Sequence, residues 1–487
     1  MTQTWAQVAE RLAARYPLLS LVAADLTDAQ RTMIAAAAHA GLVAEVVKVG
    51  RQPLEEVAAQ VVGGIERRDR PTLVLLPDGH KLWNLPSFVR LLAEKLEEIE
   101  RGNHVIALLA PIDVPCPELA RERVVLHLPL PGPEVLKPLC QAAFRGLPVG
   151  NDPRMVDLGA QALAGLGLGQ ARRALRRARL AGGDAQATLA LLQAEKRDLV
   201  AAEGVLDVID NVPTLAEVGG LEALKTWLLR RKRALEPAAQ AFGLPRPKGV
   251  LVIGVQGCGK SLVAKATASA LGVPLARLDL GRLYAAGGAP DEPLRRALQI
   301  AEAMAPAVLW LDEIDKAFAT AASSPSEAGG RLLGTMLTWL GEQRGVFVAA
   351  TANRVDHLPA ELLRKGRFDE TFFVDTPDLH VRREILAICL ARSGRRPQDF
   401  DLDKLAQAAD RLTGAEVEQG VIEALAQCWS DNRQLTTEDV ASALSKTVPF
   451  VETYEPQVKA LREWARKRCR SAGTDRSLRD LFEAEPK

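Results

Sequence analysis

The sequence predicts an α/β protein built in two successive halves, each a parallel sheet with flanking helices that leads into a run of helices. Three observations predict it. Short apolar, strand-like runs alternate with amphipathic helical stretches in both halves, the order that parallel strands with crossover helices require. The pattern turns helical after about Asn151 and again from Leu379. The chain has 487 residues, more than one core of ~250 to 300 residues accommodates, so two or three domains are expected.

In the first half, Leu18 to Ala24 reads as a buried strand, Thr27 to Ala40 as a helix and Val43 to Val49 as a β-branched strand. LVLLPD (Leu73 to Asp78) and VIALLAP (Val105 to Pro111) supply further strands, and LPLPGPE (Leu128 to Glu134) interrupts regular structure with three prolines and a glycine. Beyond it, QARRALRRARL (Gln170 to Leu180) and TLALLQAEKRDLVAAEG (Thr188 to Gly204) are long enough for several helical turns. A second α/β unit opens near Asn211 and Pro213.

Two echoes link the halves. LVLLPDGHK (Leu73 to Lys81) and LWLDEIDK (Leu309 to Lys316) are both buried strands that end in an acid and then Lys, at an offset of 235, and helix starts near Gly165 and Gly414 recur at an offset of 249. A repeat and a generic three-layer domain both account for them. No phosphate-binding loop occurs in the first half, where Ala23, Ala24 and Asp25 follow the first strand, so as a repeat it is a nucleotide-dead one.

Composition narrows the function classes. With 48% hydrophobic and 25% charged residues the chain has the balance of a soluble globular protein. The 62 basic and 61 acidic side chains leave a formal charge of +1, so no whole-protein field favours nucleic acid or anionic lipid. Arg172, Arg173, Arg176, Arg177 and Arg179 accordingly read as a solvated helix face. Six cysteines without CxxC pairs or nearby histidine spacing indicate neither a zinc site nor a disulfide framework, and reduced thiols predict a cytoplasmic location. Neither secretion nor membrane spanning is expected, because the N-terminal MTQTWAQVAERLAARYP has no uninterrupted apolar stretch and no run of ~18 apolar residues occurs.

The chemistry is concentrated in the second half. The strand Gly249 to Ile253 feeds GVQGCGKS (Gly254 to Ser261) and then a helix, which is GxxxxGK[ST] in strand–loop–helix context. Glycines including Gly257 and Gly259, with Cys258 between them, let backbone amides curl round phosphates without Cβ clashes, and the helix N-terminus that opens through Leu262 adds partial positive charge. Lys260 supplies a full charge to the β and γ phosphates, and Ser261 offers its hydroxyl to Mg²⁺. The cofactors implied are ATP and Mg²⁺.

About fifty residues on, AVLWLDEIDKAF places Asp312 and Glu313 at the end of a buried strand. Asp312 is expected to hold Mg²⁺ through water and Glu313 to polarise the attacking water. VFVAATAN then ends at Asn353, whose amide can orient water against the γ-phosphate. Arg364 and Arg367 follow in LLRKGRFDE, where on their own they read as surface partners of Asp369 and Glu370.

From Val218 to Glu416 the sequence resembles the AAA branch of the AAA+ ATPases. EVGGLEALK, with Val218 and Gly219, matches the adenine-side entry of that family, ATAN its sensor and LLRKGRFDE its paired arginine fingers. The resemblance implies that Arg364 and Arg367 reach into a neighbouring subunit and that TGAE, with Gly414 and Ala415, caps the nucleotide from a helical lid. It also implies a homo-oligomeric ring of six. GRLYAAGG, AEAMAPAVLWLDEIDKAF and GVQGCGKSLVAKA are similar to the cyanobacterial and plastid hypothetical-chloroplast-reading-frame AAA ATPases, which look to share a degenerate α/β first half beginning with a motif like ARYPLL (Ala14 to Leu19).

The expected architecture is therefore a P-loop AAA+ core with a C-terminal helical lid, preceded by a degenerate AAA-like α/β half with its own helical region. Its segments are a degenerate domain at 1–150, a helical linker at 151–210, the nucleotide-binding domain at 211–378, the lid at 379–450 and a tail at 451–487. AAGGAPDE (Ala285 to Glu292) stands where protein-threading relatives place an aromatic, a hydrophobic residue and a glycine, which leaves Tyr284 as a substrate contact or a core aromatic. Cys258 is a redox-sensitive thiol if the loop amides lower its pKa, and otherwise a small residue that fits. From Thr453 a basic amphipathic helix reads as a dock for a partner or adjacent subunit, or as a solvated end. The functional expectation is an ATPase that remodels a protein client of unknown identity. Alternatives are an ATP-gated scaffold without threading and a nucleic-acid motor, the last resting only on the basic helices.

Overall fold

The computed structural model describes residues 3–23, 25–49, 53–65, 68–111, 113–147, 152–202, 204–285, 291–323, 327–342 and 345–473. By its contacts the chain divides into two units: Met1–Glu203 with Glu292–Met304, and Gly204–Asp291 with Ala305–Lys487.

In the first unit, α1 (Gln3–Ala13) leads into β1 (Leu18–Ala23), α2 (Leu26–His39), β2 (Val43–Val46), α3 (Leu54–Gly63), β3 (Thr72–Pro77), α4 (Pro86–Arg101), β4 (Val105–Ala110) and β5 (Arg123–Leu128). Helices α5 (Pro133–Phe144), α6 (Pro153–Leu163), α7 (Leu168–Ala181) and α8 (Ala185–Ala201) follow. β1 and β4 are buried at every position, which explains why LLSLVA and VIALLA are continuous apolar runs rather than alternating ones. The sheet is parallel in the order β2-β3-β4-β1-β5, with a core on each face. β5 escapes a reading by hydrophobicity because it is an edge strand, only partly buried and flanked by charge. The proline-rich segment after it ends as Pro133 opens α5, where the missing N–H costs nothing.

The second unit begins earlier than Asn211, with β6 (Leu206–Ile209). This four-residue edge strand pairs antiparallel with residues 275–278, a long-range partner that local pattern cannot reveal. Then come α9 (Glu222–Ala234), α10 (Pro237–Ala241), β7 (Gly249–Gly254), α11 (Lys260–Leu271), β8 (Leu275–Leu278), α12 (Leu280–Ala285) and α13 (Asp291–Ala303), of which α13 groups with the first unit from Glu292. β9 (Ala307–Leu311), α14 (Ile314–Ser323), α15 (Glu327–Glu342), β10 (Val346–Ala352) and β11 (Glu370–Val374) complete the sheet region. A helical bundle follows, α16 (Leu379–Arg392), α17 (Leu402–Ala408), α18 (Gly414–Ser430) and α19 (Thr437–Lys446), with its own core of Leu386, Leu405, Val417, Val421 and Leu444. The described chain ends in α20 (Phe450–Thr453), α21 (Glu455–Arg466) and the two-residue strand β12 (Arg470–Ser471).

The second sheet runs β12-β11-β7-β10-β9-β8-β6. Its five central strands follow the order fifth, first, fourth, third, second, and so does the whole first sheet. The echo seen in sequence falls on equivalent strands. Asp78 after β3 and Glu313 after β9 are both left-handed, with φ of 59° and 47°, and each receives a lysine three residues on, Lys81 at 3.8 Å and Lys316 at 2.5 Å. The second echo shifts by a few residues. α7 and α18 are N-capped by Gly167 and Thr413, an offset of 246 rather than 249, and in each the backbone N–H of the N-cap residue donates to the side chain three residues on, Gln170 or Glu416. The two sheets thus share a strand order and a left-handed residue after the third strand.

Candidate nucleotide site

β7 is buried throughout and carries its chain to the end of the sheet, where Gly257 and Gly259 adopt φ of +80° and +87° before α11 begins at Lys260. Gly257 has a second reason to be glycine, since a Cβ there would lie 2.8 Å from Thr413 Oγ1. Through this close approach the loop meets the start of α18, and Ala415 N donates to Gly257 O at 2.9 Å.

Lys260 is buried, and its ammonium donates to the carbonyls of Gly254 at 2.9 Å and Val255 at 2.7 Å. Burial pushes its pKa down to about 8, against the opposing pull of Cys258, Asp315, Glu313 and Asp312. Ser261 Oγ donates to Asp312 Oδ1 at 2.8 Å, so the hydroxyl and the carboxylate expected to serve a cation are already side by side. Two hard oxygen donors at the mouth of a phosphate loop suit Mg²⁺, which keeps most of its shell for water and phosphate.

Glu313 lies beyond Asp312 in its strained corner. Its Oε1 accepts from Asn353 Nδ2 at 2.9 Å and its Oε2 from Lys316 Nζ at 2.5 Å. Left-handed backbone at a non-glycine residue costs on the order of 1–3 kcal/mol and persists only where neighbours enforce it. Here Thr351 does so. Its hydroxyl accepts from Glu313 N at 2.9 Å and donates to Asp312 Oδ1 at 2.6 Å, fixing both acids. Asp315, buried, accepts from the backbone N–H of Asn353 and of Arg354, and so sets the end of β10. Burial raises the Asp315 pKa more than those donors lower it. Thr351, Asp315 and Lys316 are not among the site residues that the sequence singles out. Thr351 was open to discovery from the strand period, since residues two apart share a face and Asn353 was already singled out.

Val218, Gly219, Gly257, Cys258, Gly259, Lys260, Ser261, Leu262, Glu313, Asn353, Gly414 and Ala415 all line one cleft of about 680 Å³, and Asp312 stands beside it through Ser261. That volume suits a ligand of nucleotide size. The lid side is held by Gly220 N, which donates to Glu384 Oε2 at 2.8 Å, and by Ile385, so close to Gly219 that a Cβ would meet it at 2.7 Å.

Arg364 and Arg367 are not in the cleft. Arg364 is exposed, and the Arg367 guanidinium donates to the carbonyl of Leu337 on α15. Asp369, a candidate partner for them, instead accepts from the backbone N–H of Lys248 and of Gly249. Cys258 differs from the redox expectation: burial pushes its thiol up to about 12, outweighing Lys260. Residues 286–290 of the AAGGAPDE segment lie outside the described residues, and Tyr284 falls within α12.

A glycine loop between a central parallel strand and a helix, two acids after the strand two places along the sheet and a helical lid over the cleft define a P-loop nucleotide-binding module of the AAA type. Residues 250–376 match the family model described as "ATPase family associated with various cellular activities (AAA)". The chain is 36% identical over 406 residues to the AAA domain-containing protein ycf46 of Guillardia theta, covering 82% of this chain and 79% of the relative. It is 35% identical over 430 residues to the protein of that name from Gracilaria tenuistipitata var. liui, covering 86% of each. A shorter likeness, 33% over 250 residues, covers 49% of this chain and 39% of the ATP-dependent zinc metalloprotease FtsH 2 of Petrotoga mobilis. The chain belongs to the AAA family, in the group of AAA domain-containing proteins named ycf46.

The Lys260 environment yields a pH dependence with a definite sign. Its folded pKa of about 8 lies below the ordinary 10.5, so below pH 8 the ammonium is charged folded and unfolded alike. Between those values the unfolded chain holds more protons, and stability from this group rises with pH. Binding of a phosphate anion has the opposite trend, because it needs the ammonium. ADP affinity measured by titration calorimetry is expected to fall as pH rises above 8, by up to about tenfold per unit, and to be flat in Lys260→Met. A flat curve for the parent protein from pH 7 to 9.5 would contradict the assignment.

Proposed function

We propose that this protein is an Mg²⁺-dependent ATPase that works as a ring of identical subunits, six in number, and couples hydrolysis to remodelling of a protein client. One observation carries the reading: Lys260, Ser261, Glu313 and Asn353 line a single cleft and Asp312 is hydrogen-bonded to Ser261 at its edge, the residue types that phosphoryl transfer to water needs. Loop amides and Lys260 bind the phosphates. Ser261 and Asp312 hold Mg²⁺, which when bound neutralises phosphate charge.

Glu313 polarises the attacking water and Asn353 orients it. In the present arrangement Asn353 and Lys316 occupy both oxygens of Glu313, so the carboxylate must release at least one of them to face water. Arg364 and Arg367 act in trans on a neighbour. Arg364 is exposed, while Arg367 has to leave the Leu337 carbonyl to do so. The likeness to a metalloprotease whose name states ATP dependence supports the nucleotide, and six free cysteines, four of them buried, support a reducing compartment such as the cytoplasm. The arginines of α7 read as the solvent face of a packed helix rather than a nucleic-acid site: the opposite face buries Ala171, Ala174, Leu175 and Ala178, and Arg177 pairs with Glu195.

Glu313→Gln is expected to bind ATP as the parent does and to lose turnover by ~10²- to 10⁴-fold in a steady-state phosphate-release assay. Parent-level turnover in that variant would remove Glu313 from the mechanism. Completion of the site by a neighbour predicts that specific activity falls as the protein is diluted below its assembly concentration, and that Arg364→Ala lowers turnover by ~10³- to 10⁵-fold. Constant specific activity down to concentrations where light scattering shows single chains would refute the trans arrangement.

A further inference from the structure

We infer that the C-terminal segment from Phe450 to Gly473 is a working part of the nucleotide site, a strap that clamps the hinge between sheet and lid. The inference rests on the reading of the cleft as a nucleotide site. Sequence alone offered this segment as a partner dock or a solvated end. Instead, α21 buries Val458, Leu461 and Ala465, and the chain after it returns to the sheet it left.

The return is specific. β12 adds to the sheet beside β11, in the register Phe372 to Arg470 and Phe373 to Ser471. Ala472, fully buried, donates its N–H to Phe373 O at 3.0 Å and accepts from Leu224 N at 3.1 Å. Leu224 lies just after Leu221, which lines the cleft with Val218 and Gly219, and Ser471 and Gly473 line the same cleft. The tail is thus one wall of it.

The hinge itself is gripped from α21. Only residues 375–378 separate β11 from α16, so any rotation of the lid turns on them. Arg462 Nε donates to both oxygens of Asp375 at 3.0 and 2.9 Å, and its Nη2 donates to Asp375 Oδ1 at 2.8 Å and to Thr376 Oγ1 at 3.2 Å. A planar guanidinium bound this way fixes orientation as well as distance.

At its other end the strap starts on the lid. Glu416, whose Oε2 accepts from Thr413 at the start of α18, accepts Phe450 N on Oε1 at 2.6 Å, and Arg411 pairs with Glu452 at 3.1 Å. One side chain therefore joins the strap to the turn that touches the phosphate loop. A nucleotide that draws the lid down must load the strap, and the strap in turn sets which lid positions the nucleotide meets.

The test uses the full-length protein and fluorescent ADP. The parent should bind it, and amide hydrogen exchange over 470–473 and 375–378 should slow on binding. Arg462→Ala should weaken ADP binding by roughly two- to fivefold, with Arg462→Lys intermediate because it keeps the charge but loses the fork. A parent that binds no ADP fells the nucleotide reading and the strap together. A parent that binds ADP while Arg462→Ala binds it equally well overturns the strap alone, and so does exchange over 470–473 that ADP leaves unchanged.

Discussion

The second unit is organised around a buried ammonium held at the end of a central strand. Lys260 is desolvated, and its only compensation in the loop is a pair of carbonyls from Gly254 and Val255. An ammonium so placed is costly, and its environment is acidic on the far side, where Asp312, Glu313 and Asp315 cluster. On the proposed reading a triphosphate answers that demand. The left-handed glycines, the approach of Thr413 to Gly257 and the cleft beneath the lid surround the same loop.

The first unit has the same strand order without that demand. Its sheet keeps the strand order and the strained residue after the third strand, yet Pro77 stands where Asp312 stands, and Asp25 caps α2 where the phosphate loop should be. The Asp25 carboxylate accepts from Asp28 N at 3.0 Å, so a side chain satisfies the helix end that a phosphate would otherwise meet. Strand order is fixed by packing of both sheet faces and not by any one loop, so the same order occurs with and without a phosphate loop.

This contrast explains what could be read from sequence. Phosphate chemistry needs glycine, Lys and Ser at fixed spacing, so Gly257, Lys260 and Ser261 were legible from an eight-residue string. Asp312, Glu313 and Asn353 were legible because each ends an apolar strand. Relations across the sheet were not. β5 and β6 are short edge strands whose identity lies in distant partners, and β12 is two residues long and exists only because β11 offers it an edge. Thr351 looks in sequence like one more β-branched strand residue, although its hydroxyl holds both acids. The inward turn of Arg367 and the high pKa of Cys258 depend on burial, which motif spacing does not encode.

The central claim is that one triphosphate is held per chain, in the second unit alone, by the loop that ends in Lys260. Titration calorimetry with a non-hydrolysable ATP analogue and Mg²⁺ tests it most directly. The account predicts a stoichiometry of one nucleotide per chain in the parent and strongly weakened binding in Lys260→Ala. Two nucleotides per chain, or undiminished binding without the Lys260 ammonium, would contradict it.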